Sequence, residues 1–158
     1  YMKSLKIWSL AVVLLMALVG CNNKPGNGPD GPTPSGNFDA IENEWKLVSV
    51  NGTPNEFNVY IRFDQGYFAI FQQAYTLDYQ LFEGEYAVEG GKLTGEYYDA
   101  GAWKCAYTGG VSEDGKTLTL KSDEENPVTC IYEACTIPEI VQDEALSGTR
   151  SLDVLPFL

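Results

Sequence analysis

The chain contains no histidine. That absence excludes Ser-His-Asp and Cys-His nucleophilic catalysis and the usual histidine-ligated metal centres. Positive charge is scarce too: ten Lys and Arg stand against 22 Asp and Glu, a net charge of −12 over 158 residues. So acidic a chain has no basic patch and repels nucleic acid, so no nucleic-acid partner is expected. There is no Gly-rich phosphate loop and no spaced set of metal ligands, so neither a cofactor, a metal nor an enzymatic activity is expected. Outside the first twenty residues there is no long apolar run, and no helical pattern long enough for a βαβ crossover. Aromatic residues and turn formers are plentiful: 10 Tyr, 7 Phe, 3 Trp and 16 Gly. The aromatics alternate with polar residues, which is the pattern of half-buried strands and not of a disordered chain.

The first twenty residues differ from the rest. Met2 reads as the initiator, Lys3 and Lys6 supply a positive start, and Ile7 to Val19 is apolar except for Ser9. That run is too short for an ordinary membrane span and suits the apolar region of a signal peptide. It ends in Leu18-Val19-Gly20-Cys21, which resembles the lipobox of bacterial lipoproteins. The resemblance implies cleavage after Gly20 and acylation of Cys21, giving a lipid anchor to a membrane. Several acyl chains on one residue hold firmly, since each buried methylene contributes roughly 0.8 kcal/mol. An ordinary secretory signal with a chance cysteine, or a short membrane anchor, is the alternative. It leaves the coincidence of charge, length, lipobox and following linker unexplained. Asn22, not Asp, follows the cysteine, which in that family implies the outer membrane. No acidic cluster follows, which leans towards the periplasmic face. Loss of residues 1–20 removes Lys3 and Lys6 and takes the net charge from −12 to −14.

Residues 21–37 continue as a Gly, Pro and Asn-rich stretch that cannot form a core. It serves as a tether of at most roughly 50 Å, at about 3.3 Å per extended residue. The folded domain is expected over 38–146, followed by a tail, 147–158, whose apolar end Leu155-Pro156-Phe157-Leu158 is either loose or docked. Within the domain, Trp45, Leu47 and Ser49 share one strand face, with Lys46, Val48 and Val50 on the other. Asn51-Gly52 is a turn. Val59, Ile61 and Phe63 alternate with Tyr60, Arg62 and Asp64, and Gln65-Gly66 closes a hairpin that sets Phe68 and Ile70 opposite Phe63 and Ile61. Leu77, Tyr79 and Leu81 continue the alternation, with Gly84 as a bend or bulge before Tyr86 and Val88. Gly90-Gly91 pairs Val88 with Leu93 and Tyr86 with Gly95, and Tyr97 follows on that face. A strand carrying Trp103, Cys105 and Tyr107 comes next, then Leu118 and Leu120, then Val128, Cys130 and Tyr132. About eight strands on short turns predict an all-β fold: an antiparallel up-and-down barrel or strongly curved meander, which removes exposed edges by closure. Thr136-Ile137-Pro138-Glu139 reads as a capping box opening a short C-terminal helix, with Ile137, Ile140, Val141 and Ala145 on one face and Gly148 as its stop. The helix is expected to cover the sheet or plug an open end.

Five segments in order resemble the lipocalin-like domains of many envelope lipoproteins of gut bacteria: W-K-L-V-S-V-N-G at 45–52, I-R-F-x-x-G-Y-F at 61–68, G-E-Y-A-V-x-G-G-K-L at 84–93, D-G-K-T-L-T-L at 114–120 and Y-E-A-C-T-I-P-E at 132–139. The resemblance implies an eight-stranded barrel-like fold and no single shared activity. Asn43 stands where many lipocalins place the glycine of a G-x-W element. The first segment also resembles heat-shock-associated META domains, whose G-C-N motif this chain lacks.

Three candidate chemistries follow. Trp45, Phe63, Phe68, Tyr79, Tyr86, Tyr97, Trp103 and Tyr107 are all assigned to the inner face. There they either line a cavity for a small apolar or ring-bearing ligand or fill a small core, since eight strands enclose just enough room for either. With a filled core, the outer sheet face would instead meet an envelope protein partner. Asp123-Glu124-Glu125-Asn126 is rich in oxygen ligands but lacks calcium-loop spacing. Glu83 and Glu85 have the residue types of a glycosidase pair but fall on the outer face of one strand. Beyond Cys21, Cys105, Cys130 and Cys135 leave two possibilities: one disulfide with one thiol over, or buried free thiols.

Overall fold

The computed structural model describes residues 37–74, 76–148 and 154–158. The expected signal segment, Cys21, the expected tether as far as Gly36 and residues 149–153 of the tail lie outside the described residues. Ten strands precede one helix: β1 (Glu44–Val50), β2 (Thr53–Pro54), β3 (Val59–Asp64), β4 (Tyr67–Gln72), β5 (Gln80–Glu89), β6 (Lys92–Tyr97), β7 (Gly101–Ala102), β8 (Tyr107–Val111), β9 (Thr117–Ser122), β10 (Thr129–Ala134) and α1 (Glu139–Ser147). Eight of the strands form an antiparallel ring in the order β1-β3-β4-β5-β6-β8-β9-β10, and β10 pairs back onto β1. The short β2 and β7 hang on β1 and β6. Pairing β10 with β1 closes the ring, and β6 and β8 meet within it at the single pair Leu93–Tyr107.

The hairpins form where the sequence places two residues with positive φ together. Gln65 (φ 45°) with Gly66 (φ 84°) turns β3 into β4, and Gly90 (57°) with Gly91 (77°) turns β5 into β6. Such pairs twist as the flanking strands do, which fixes register. Ile61 therefore faces Ile70, Phe63 faces Phe68, Tyr86 faces Gly95 and Val88 faces Leu93.

Four local expectations are corrected. Opposite β10, β1 carries a bulge between Leu47 and Ser49, so Val50 turns back towards the core instead of staying with Lys46. β5 has no bulge at Gly84: both its ladders run unbroken, and a methyl at Gly84 would overlap the Glu96 carbonyl and the Phe68 ring. The phase is therefore carried by Phe82, Gly84 and Tyr86, while Tyr79 and Leu81 face outward and Leu77 is 91% exposed in the preceding loop. Trp103 and Cys105 lie between β7 and β8, and of that trio Tyr107 alone is in a strand. The capping box does not form: Pro138 occupies the N-cap with no side-chain cap bond, and the Ile137 N–H goes to Glu44 Oε2 at 2.6 Å instead.

α1 lies on the outside of the ring against β4 and β5. Ile137, Val141 and Ala145 pack on Tyr60, Phe71 and Tyr79, whereas Ile140 faces solvent. Gly148 ends the helix, as expected, in an extended conformation. The ring itself is closed at both ends. At the end where β1 begins, Phe38 and Ile41 are buried, Ile41 accepts the Trp45 Nε1–H at 2.9 Å, and Val111 N–H donates to the Asn37 carbonyl at 2.9 Å. At the opposite end, where β4 finishes, the tail is docked and Leu158 is buried in the core. Among the described residues, Cys105, Cys130 and Cys135 are free thiols. Cys130 faces inward and Cys135 packs under α1, so these two lie on opposite faces of the sheet.

Candidate functional site

The inward residues of the ring form one continuous cluster. Trp45, Phe63, Phe68, Tyr97 and Tyr107 belong to it, as their strand phase predicts, Trp103 joins it from a loop, and half-buried Tyr86 packs against it. The rings meet edge to face: Phe63–Tyr86 at 5.0 Å, Phe68–Trp103 at 5.0 Å, Phe68–Tyr97 at 5.3 Å and Trp103–Tyr107 at 5.8 Å between centroids. That geometry sets the positive ring edge on the negative ring face. Trp103 reaches the interior from a loop because Gly95 leaves room. Its backbone N–H donates to the Gly95 carbonyl at 2.8 Å, and a methyl at Gly95 would overlap the indole. Tyr79 is not part of this site. It lies under α1, 6.2 Å from the Tyr60 ring, because β5 keeps its phase.

The sequence reading did not assign Phe82, Leu93, Leu118, Leu120, Cys130, Tyr132, Leu158 and Gln72 to the site. Phe82 follows from the unbroken phase of β5, and Tyr132 from its alternation with Cys130. No local pattern marks Gln72 or Leu158, since what buries them is the docked tail.

Polar atoms inside are few. Among the described residues the buried polar side chains are Gln72, Gln80, Ser112, Thr119 and Ser122, none of them ionisable. Gln72 and the Tyr97 hydroxyl are bonded to the tail. Trp103 Nε1 and the Tyr132 hydroxyl are buried without a hydrogen-bond partner. Burial pushes the titratable groups towards neutrality. Desolvation drives the Tyr132 phenol far up, with Cys130, Tyr107 and Tyr97 adding to it. Tyr107 is raised by burial and then by Cys105, and Tyr97 by burial, which its bond to the Leu158 carbonyl partly offsets. Cys130 is pushed up to about 11 by burial alone. These groups are uncharged at neutral pH, so they offer apolar contact and hydrogen-bond donors, not an ionised nucleophile or base.

The outer face of β4–β6 is different. Tyr67 on β4 stands opposite Glu85 on β5, which stands opposite Glu96 on β6. Glu83 and Glu85 are exposed side by side on β5, and Tyr67 and Tyr98 are 54% and 62% exposed. A shallow cleft of about 250 Å³ runs between Glu85, Glu96, Tyr97 and Tyr98. The Tyr98 phenol is raised, by partial desolvation and then by Glu85, Tyr67 and Glu83. In the acidic loop after β9, Asp123 is tied to Lys92 at 2.9 Å and accepts from the Ala106 N–H at 3.2 Å. Among the described residues no three metal-ligating side chains converge, and no helix is long and apolar enough to cross a membrane.

No family model, curated protein or solved structure matches this chain.

Proposed function

We propose that the protein is an envelope lipoprotein, anchored through Cys21 at the outer membrane with its domain on the periplasmic side. In this reading its ring domain acts as a protein-interaction module. The observation that carries this reading is the occupied interior: aromatic rings, aliphatic side chains and Leu158 of the tail fill the ring. An eight-stranded enclosure is just wide enough for its own side chains to fill it or for one small ligand. The outer sheet face supplies the contact surface. Glu85 directly opposite Glu96 is an unfavourable cross-strand pair for an isolated domain. A positively charged partner laid between Tyr67 and Tyr98 would relieve that repulsion and cover both rings.

The test is a titration with an apolar, environment-sensitive dye while the fluorescence of Trp45 and Trp103 is followed. The expected result is no saturable uptake and no change in either indole. One-to-one uptake with quenching would replace this reading by that of a small-molecule carrier. The carrier reading has one observation in its favour, the unpartnered Trp103 Nε1 and Tyr132 hydroxyl, which a ligand bearing an acceptor would satisfy. The anchor is tested separately. Cys21→Ala is expected to move the protein from the membrane to the soluble envelope fraction, and retention in the membrane fraction would overturn the lipobox assignment.

A further inference from the structure

The end of the ring opposite Phe38 is organised around a segment that is not a strand. Gln72 closes β4, opposite Val59 of β3 and Gln80 of β5, and is 0% exposed. Its side-chain amide donates from Nε2 to the Leu155 carbonyl at 2.9 Å, and its Oε1 accepts from the Phe157 N–H at 2.8 Å. This donor-and-acceptor pair reads a main chain as a neighbouring strand would, whatever the side chains on it. Deeper in, the Tyr97 hydroxyl donates to the Leu158 carbonyl at 2.9 Å. Side-chain selection comes from two places. Leu158 is 1% exposed in the core, and the Phe157 ring sits edge-on to Phe57 at 6.4 Å. Pro156, just before them, has a fixed φ, has no N–H to satisfy and keeps Leu155 extended. A buried glutamine and a buried tyrosine thus direct polar atoms at the backbone of the tail. With the tail undocked, both groups would need water or another backbone in its place.

We propose that this end of the ring is a binding site for an extended apolar peptide. The chain's own residues 154–158 fill it in cis, and a partner's segment of the pattern Pro-aromatic-Leu exchanges with them in trans. This site is distinct from the outer sheet face, and its test does not depend on that reading. The probe is a fluorescein-labelled peptide, Val-Leu-Pro-Phe-Leu, titrated into the full chain and into a full-length variant with a weakened tail, Phe157→Ala with Leu158→Asp. Because an attached tail competes at high effective concentration, the full chain is expected to bind the probe about tenfold or more weakly than the variant. Adding Gln72→Ala to the variant should weaken it by about tenfold again, since the amide's two bonds to the peptide are lost. A variant that melts cooperatively yet fails to bind the probe overturns the proposal, as does binding indifferent to Gln72→Ala. Should the variant not fold, hydrogen exchange of the unaltered chain decides. The Phe157 amide, held by a side chain at a ring end, is expected to exchange at least about tenfold faster than ladder amides of β3 and β4. Protection equal to theirs would make the tail a fixed part of the core and overturn the proposal.

Discussion

Tyr132 shows how far a single side chain can be argued. Its ring is fully buried among Cys130, Tyr107 and Tyr97, and its hydroxyl has no partner. A buried, unpaired hydroxyl is a liability, because it gave up water and gained nothing in return. Tyr132→Phe removes the oxygen and keeps the ring. We expect unchanged stability or a gain of up to about 1 kcal/mol in denaturant unfolding. A loss of that size would mean that the hydroxyl is bonded in solution, and that the interior is wetter than its packing implies. At this scale the sequence was informative wherever a residue lies on a regular strand between tight turns. Phe63, Phe68 and Tyr97 were placed by alternation alone. Tyr79 shares a face with Tyr86 only if Gly84 bends or bulges the strand, and it does neither. One extra residue in β5 would have reversed the faces on either side of it, and β5 has none. Trp103 faces inward, as expected, but strand alternation is not the cause. It enters from a loop, over the space that Gly95 leaves, and alternation says nothing about that.

α1 is the element whose attachment is most open to test. Its hydrophobic contacts are few, and its end is fixed by a polar network that starts on the ring. Glu44 on β1 takes Arg62 Nε at Oε1 at 2.8 Å and the Ile137 N–H at Oε2 at 2.6 Å. Arg62 passes Nη2 to Gln142 Oε1 at 2.8 Å, and Gln142 Nε2 returns to the Ile137 carbonyl at 3.0 Å. The Glu44–Arg62 pair is partly exposed, with side-chain exposures of 22% and 35%, so its coulombic part is modest. The bond to the Ile137 amide matters more, because it replaces the cap that Thr136 does not provide. Glu44→Ala is therefore expected to lower stability by about 1–3 kcal/mol, and to speed amide exchange in Glu139–Ser147 more than in β8–β9. Equal acceleration everywhere would show that the network does not hold the helix. The helix itself was legible from the spacing of Ile137, Val141 and Ala145. Its start was not, since the group that satisfies Ile137 lies 93 residues away in the chain. Local motifs cannot reveal such a partner.

For the whole molecule, ring closure was predictable in kind: eight alternating runs on short turns leave two edges to hide, and pairing β10 with β1 hides both. What fills the ring was not predictable, because the two end closures come from segments that carry no strand pattern, Phe38 to Ile41 and the docked tail. An interior that buries phenols and thiols has a consequence for pH. Cys130 ordinarily loses its proton near 9.0 and holds it to about 11 in the fold. Under α1, Tyr79 is pushed from 10.0 up to about 12, chiefly by desolvation and then by Tyr60. Tyr97, Tyr107 and Tyr132 shift the same way for the same main reason. Each folded pKa lies above its unfolded value, so the unfolded chain gives up these protons first. The stabilisation is complete below the unfolded values and is lost as pH rises through the folded ones. Unfolding midpoints should therefore be flat from about pH 7 to 9 and fall with growing slope between about 9 and 12. Cys135 is raised by burial too, so Cys130→Ala combined with Cys135→Ala should delay the onset of that fall towards 10, where the tyrosines begin. A midpoint that stays level across the interval would mean that the phenols ionise in place, in contact with water, and that the ring is open.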